Sequence, residues 1–144
     1  MTDDRELTAR CDRCLGQIED GDGVVEVNAA AAQCAMERWW ARQADGPAVF
    51  AGRRIRWIAR HRRCGRAPAH AYSIPVERIR SWTALLDWTA HLADKPFVQA
   101  TDWTAVIERA LDPRLAAVSG LLPRTPRPLR RGPVGTDGRP EAGY

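Results

Sequence analysis

"ARHRRCG", residues 59–65, sets a histidine and a cysteine three positions apart in a stretch otherwise crowded with arginine. Near the start of the chain "RCDRCLG", residues 10–16, sets two cysteines at the same spacing. Zinc takes four ligands in a tetrahedron, and cysteine thiolate and imidazole nitrogen are its usual protein donors. C-x-x-C on a tight turn aims two sulfurs at one point, and H-x-x-C does the same with a nitrogen and a sulfur. Gly16 follows the first pair and Gly65 the second, each relaxing the backbone just beyond the turn. The two half-sites make a Cys3His site of Cys11, Cys14, His61 and Cys64, expected to hold one structural zinc ion.

Strand pairing would bring the halves together. "GVVEV" reads as a strand over 24–27, and "RRIRWIARH" alternates, with Ile55, Trp57 and Ala59 on one face and Arg54, Arg56 and Arg60 on the other. If 24–27 pairs antiparallel with 54–58, the first knuckle precedes one strand and the second follows the other, so both meet at one end of a hairpin. The gap of 46 residues between Cys14 and His61 exceeds compact finger spacings. Closure entropy grows only with the logarithm of length, so a tripled loop costs about 1 kcal/mol more. Structural zinc supplies roughly 10 kcal/mol or more. Other readings exist for these residues. Cys11 and Cys14 could form a redox pair, although no βαβ pattern surrounds them. His61 could simply be exposed and Cys64 a small core residue. His70 is a reserve ligand, and Cys34 reads as a buried filler in a helix.

The chain has 144 residues, enough for one domain with short extensions, and 44% apolar with 28% charged residues is ordinary for a globular protein. No apolar run approaches the length of a membrane span, and the polar, acidic start "MTDDRELTAR" is unlike a secretory signal. The cytoplasm is the default compartment, where C-x-x-C suggests metal or redox chemistry before a structural disulfide. The basic residues are 21 arginines and one lysine beside 23 alanines, the skew of a GC-rich genome. Their placement tells more than their number. Residues 1–37 hold nine acids against three arginines, while residues 50–66 hold seven arginines and no acid.

Residues 1–10 read as a flexible lead-in, residues 11–121 as a single zinc-bound domain, and residues 122–144 as a disordered Pro/Arg/Gly-rich tail. Within the domain, "NAAAAQCAMERWWARQA" predicts a helix over 29–44 capped by Asn28. "APAHAYSIP" reads as irregular or extended, held open by Pro68 and Pro75. A second helix is expected over 76–93, with Ile79, Trp82, Leu85, Leu86, Thr89 and Leu92 on one stripe. A third should start at Thr101 or Asp102 and end at Asp112, with a weak helical turn over 113–120. The fold class is α+β: a small zinc-bound β-hairpin with an inserted helix, followed by two C-terminal helices and the basic tail.

The run Cys11-x-x-Cys14, Ile18, Gly21 to Gly23, a strand and then His61-x-x-Cys64 resembles treble-clef and LIM-like zinc modules. The likeness covers residues 11–65 and departs from the pattern in the inserted helix. It implies a knuckle, a hairpin and a second knuckle around one structural zinc. "AYSIPVERIRSWTALLDWTAHLADKPFVQATDW" is similar to small proteins of actinobacteria and their phages or mobile elements, a likeness that carries no catalytic motif.

Six tryptophans are many for this length, and most read as core. Trp39 and Trp40 are adjacent, so a helix turns them about 100° apart and only one can face the interior squarely. Arg53, Arg54, Arg56, Arg60, Arg62, Arg63 and Arg66 flank the second knuckle. Guanidinium forks match phosphate oxygens, so the expected function is a non-catalytic module that contacts DNA or RNA through this strand. The rival is a protein–protein adaptor using Trp39 or Trp40 and the C-terminal helices, with the arginines only solvated or neutralised by the acidic N-terminal segment. A metal-dependent nuclease would need a histidine base and a second ligand set. Only His70 and His91 remain, with no paired Asp or Asn at suitable spacing. No motif points to a membrane or to a small-molecule substrate.

Overall fold

The computed structural model describes residues 6–43, 50–112 and 119–124. Its elements are β1 (Leu7–Arg10), β2 (Gln17–Ile18), β3 (Gly23–Asn28), α1 (Ala29–Ala41), β4 (Ile58–His61), β5 (Ala71–Pro75), α2 (Trp82–Leu92), α3 (Trp103–Leu111) and β6 (Gly120–Pro123). They form two three-stranded antiparallel sheets, ordered β2-β1-β6 and β4-β3-β5, with three helices. The class is the α+β expected from the sequence.

The expected lead-in is a structural strand from residue 7 onward. Leu7 and Ala9 are fully buried, and β1 is the central strand of its sheet, pairing Ala9 with Ile18 on one side and with Leu121 on the other. Leu7 and Ala9, alone in the polar stretch from Thr2 to Arg10, give too short an alternation to read. Their partner β6 comes from the far end of the domain. The expected tail boundary at 122 likewise falls inside a strand, since Pro123 pairs with Leu7 and the Arg124 N–H reaches the Glu6 carbonyl at 2.9 Å. Residues 125–144 of that tail, and 113–118 of the expected helical turn, lie outside the described residues. Ser119 and Gly120 lead into β6 instead of a helical turn.

The second sheet keeps the expected antiparallel pairing but shifts it along the chain. The partner of β3 is Ile58–His61, with Gly23 opposite His61, Val25 opposite Ala59 and Glu26 opposite Ile58. The stretch before it is diverted to α3. The Trp57 N–H donates to the Asp102 carboxylate at 2.7 Å and its indole N–H to Thr101 Oγ1 at 2.9 Å, while Ile55 bridges to Thr101. β5 occupies the other edge of β3, pairing Asn28 with Ala71 through Val24 with Pro75. Of the two readings of this stretch, extended and irregular, Ala71–Pro75 takes the extended one. On an edge strand the missing N–H of a proline costs no ladder bond.

Asn28 caps α1 as expected, accepting the Ala31 N–H at 2.9 Å. The second helix starts later than its apolar stripe suggests. A 3-10 turn at Val76–Arg78 comes first, and α2 begins at Trp82 with the Ser81 hydroxyl accepting the Ala84 N–H at 3.1 Å. Leu86, expected on the buried stripe, is 64% exposed. Asp102 stands at the N-cap of α3, but no side chain caps that helix because the carboxylate is turned to Trp57.

One core joins both sheets to α2 and α3, and a smaller one of Ala32, Met36, Phe50 and Ala100 lies under α1. The Trp57 ring meets Trp103 edge-on at 4.9 Å and Tyr72 at 6.2 Å, the geometry aromatic quadrupoles favour. Of the adjacent pair, Trp39 packs on Phe50 at 5.6 Å and Trp40 is 38% exposed. Among the described residues no helix is long and apolar enough to cross a membrane.

Candidate metal centre

The first knuckle closes between β1 and β2. The Cys11 N–H donates to the Gly16 carbonyl and the Leu15 N–H to the Cys11 carbonyl, both at 2.9 Å. Leu15, not Gly16, takes the left-handed conformation, with φ 64°. At Gly16 a Cβ would meet Cys14 Sγ at 3.4 Å, an ordinary contact. Backbone N–H groups already face the sulfurs: Arg13 N–H to Cys11 Sγ at 3.3 Å and Gly16 N–H to Cys14 Sγ at 3.4 Å. Such donors stabilise negative charge on sulfur.

The second knuckle follows β4. His61 closes that strand, the Cys64 N–H donates to the His61 carbonyl at 3.0 Å, and the Arg62 N–H ties the turn to the Asp22 carbonyl at 2.8 Å. Gly23, opposite His61, must be glycine. A Cβ there would lie 2.4 Å from the Arg60 carbonyl and 2.7 Å from Ile18 Cγ2. The sequence forms the site locally because this close strand approach presses the two turns together.

One donor atom from each of Cys11, Cys14, His61 and Cys64 falls within 4.8 Å of every other. His61 Nδ1 is 3.3 Å from Cys14 Sγ and 3.7 Å from Cys64 Sγ. Its other nitrogen, Nε2, lies 3.0 Å from the Gln17 carbonyl. A carbonyl can only accept, so Nε2 carries the proton and Nδ1 turns its lone pair toward the three sulfurs. This tautomer is the one a metal ligand needs. Burial would raise the Cys11 thiol, but hydrogen bonds from the backbone at Cys14, His61 and Arg13 bring it down to about 6. Cys64 moves the other way, raised by burial and by the neighbouring Cys14 and Cys11. Three cysteine sulfurs and an imidazole nitrogen so placed are a donor set that could hold a metal ion. The reserve ligand His70 is exposed and outside this group, and Cys34 is exposed on α1 and not a buried filler.

The expected arginine face divides. Arg60 is buried and faces inward, a correction to its reading as a phosphate contact. Its Nε and Nη2 donate to the two Glu26 carboxylate oxygens at 2.7 and 3.1 Å, and its Nη1 donates to the carbonyls of His61, Arg62 and Gly65. The second-knuckle turn is thus wound around a guanidinium, and the Glu26 carboxylate keeps that group charged by raising its pKa. Arg56 is exposed but donates to Asp12 at 2.8 Å, and Arg54 reaches the Phe50 carbonyl at 3.3 Å. Arg53, Arg62, Arg63 and Arg66 are exposed.

Two supporting residues escaped the sequence reading. Asp12, inside the C-x-x-C, accepts the Ala59 N–H at 2.8 Å while its own N–H donates to the Ala59 carbonyl at 2.8 Å, so it latches the first knuckle to β4. Nothing in "CDRC" announces this. Glu26 did leave a signal, as one acid in the apolar strand "GVVEV", which calls for a buried cationic partner. Compared with protein families, curated proteins and solved structures, the chain finds no match.

Proposed function

We propose that Cys11, Cys14, His61 and Cys64 hold one structural zinc ion, and that the clamped domain is a non-catalytic module contacting nucleic acid through the arginines around its second knuckle. One observation carries the metal reading: four convergent protein donors, with His61 already fixed in the ligating tautomer by Gln17. Zinc bonds of about 2.3 Å to sulfur and 2.0–2.1 Å to nitrogen put tetrahedral ligand atoms roughly 3.6–3.8 Å apart. The distances of 3.3 and 3.7 Å from Nδ1 to two sulfurs need little adjustment. A site with four protein ligands has no open position for substrate, which favours a structural role. Knuckle, hairpin and second knuckle in this order also support the likeness to treble-clef modules.

The nucleic-acid part rests on Arg62, Arg63 and Arg66, exposed on a turn whose backbone is held by Arg60 and the ligands. Arginine on a rigid turn loses little freedom when it meets a phosphate. The adaptor reading has its own observation, the partly exposed Trp40 on α1. A salt-dependent titration against duplex DNA, single-stranded DNA and RNA separates the two. Each phosphate contact should contribute about −0.7 to −0.9 to the log–log slope, and alanine at Arg62, Arg63 and Arg66 together should reduce the slope by about two to three. Absence of binding at low salt, or an unchanged slope in the triple variant, would leave the adaptor reading in its place.

A further inference from the structure

Away from the knuckles, the end of α2, the 3-10 turn at Pro96–Ala100, the start of α3 and the segment from Phe50 to Arg54 enclose a cleft of about 450 Å³. That volume falls within the usual range for small-molecule sites, roughly 300–1,000 Å³. Phe50, Leu92, Val98 and Trp103 contribute apolar wall, and Gln99 and Thr104 add polar groups. None of the lining residues is a metal ligand.

The charge of the lining is one-sided. Arg54 and Lys95 both line the cleft, and among the described residues no acid does. Among the described residues neither cation has a carboxylate partner. Arg54 has only the Phe50 carbonyl, which helps to position it, and Lys95 stands 5.5 Å over the Tyr72 ring. Two positive groups around one concave, largely apolar surface give a positive potential that no carboxylate among the described lining residues offsets. Asp94, next to Lys95 in the chain, is exposed and not among the lining residues, and Asp102 accepts from Trp57 and faces Arg109 at 3.8 Å.

We infer that this cleft binds a small organic anion, a carboxylate or phosphate monoester carrying an apolar body, with its charge between Arg54 and Lys95 and its body against Val98 and Trp103. The site combines a few oriented polar groups with apolar wall, so both parts of the ligand are needed. Inorganic phosphate lacks the body, and a neutral alcohol of the same shape lacks the charge.

Calorimetric titration of the metal-loaded full chain with 3-phenylpropionate, phenyl phosphate, 3-phenylpropanol and inorganic phosphate tests this. At least one aromatic anion should bind saturably with a Kd of about 1 mM or tighter, and at least about tenfold more tightly than either control. Which of the two binds better identifies the headgroup. Arg54→Gln and Lys95→Gln should each weaken that binding about fivefold or more, while Arg66→Gln, on the knuckle, leaves it unchanged. The inference is overturned if neither anion saturates, if the neutral alcohol binds equally well, or if Arg66→Gln weakens binding as much as the cleft variants do. Nucleic-acid binding by the knuckle arginines is read separately, so either proposal can fail without the other.

Discussion

At the Gly23 end of β3 the neighbouring chain is polar: three thiols, an imidazole, the Asp12 latch and the Glu26–Arg60 pair. Toward its Asn28 end, Val27 lies opposite Tyr72, whose ring joins Trp57, Phe97 and Trp88 in a group of aromatic contacts. The second end is held by apolar burial, which needs no cofactor. The first end also buries Cys11, Ile18 and Val25, but it sets ligand-type and charged side chains among them. Its buried Glu26 carboxylate is matched by Arg60, and on the proposed zinc reading its stability would depend on the metal held by the four donors. One strand is therefore anchored by packing at one end and by chemistry at the other.

On the zinc reading proposed above, the largest expected effect comes from removing the metal. Apparent binding energies of structural zinc, about 10–16 kcal/mol, match or exceed the roughly 5–15 kcal/mol net stability of a whole domain. Cys11→Ser, or a strong chelator, should leave the chain without a cooperative thermal transition, and elemental analysis should find less than one zinc per chain. Cys34→Ser, on the exposed face of α1, should stay within about 0.5 kcal/mol of the parent with full metal content. A metal-free protein with the parent's melting curve would mean that the knuckle end, like the aromatic end, stands on packing alone.

A smaller effect sharpens the contrast by separating stability from metal affinity. Glu26→Gln strands a buried guanidinium and should cost about 3–5 kcal/mol. Trp57→Ala empties the aromatic group and should cost a similar amount, about 3–5 kcal/mol. Only the first should weaken zinc binding, by about 10- to 100-fold, because Arg60 carries the carbonyls of the second knuckle. Competition with a chromophoric chelator on the folded variants measures this. Equal zinc affinity in the two variants would show that the Arg60 winding does not support the site.

The two ends also differed in how much of them could be read from the sequence. The four converging donors were legible because ligand chemistry is carried by residue type and spacing, which survive an inserted helix. The α+β class followed from the Asn28 cap and the alternation around Trp57. The exact register did not, because it depends on Asp102 and Thr101, more than forty residues away, capturing Trp57. Arg60 was misread for a related reason: strand alternation assigns a face but cannot say that Glu26 waits on it. β1 and β6 were missed since each is short and gains its apolar partner only across the whole domain. The cleft at Arg54 and Lys95 is built from separate segments and leaves no local pattern.

The smallest expected effect lies in a hydrogen bond that ties the knuckle end to the chain beyond β5. Glu77, in the 3-10 turn, accepts the Gly21 N–H at 2.9 Å, and Gly21 holds the turn between β2 and β3 with φ 85°. That backbone N–H, chiefly, holds the Glu77 carboxyl below its ordinary range. A depressed carboxyl contributes stability that is fully present above the ordinary glutamate range and is lost as pH falls through the lower native value. Glu77 is exposed, so solvent screens the interaction and its worth is at most about 0.5 kcal/mol. Glu77→Gln should therefore melt slightly below the parent at neutral pH, with unchanged zinc content. The gap should narrow as the solution is acidified, because the parent then loses the same charge. A gap that stayed constant or widened toward acid would show that the carboxylate's charge plays no part in the tie, leaving only its shape.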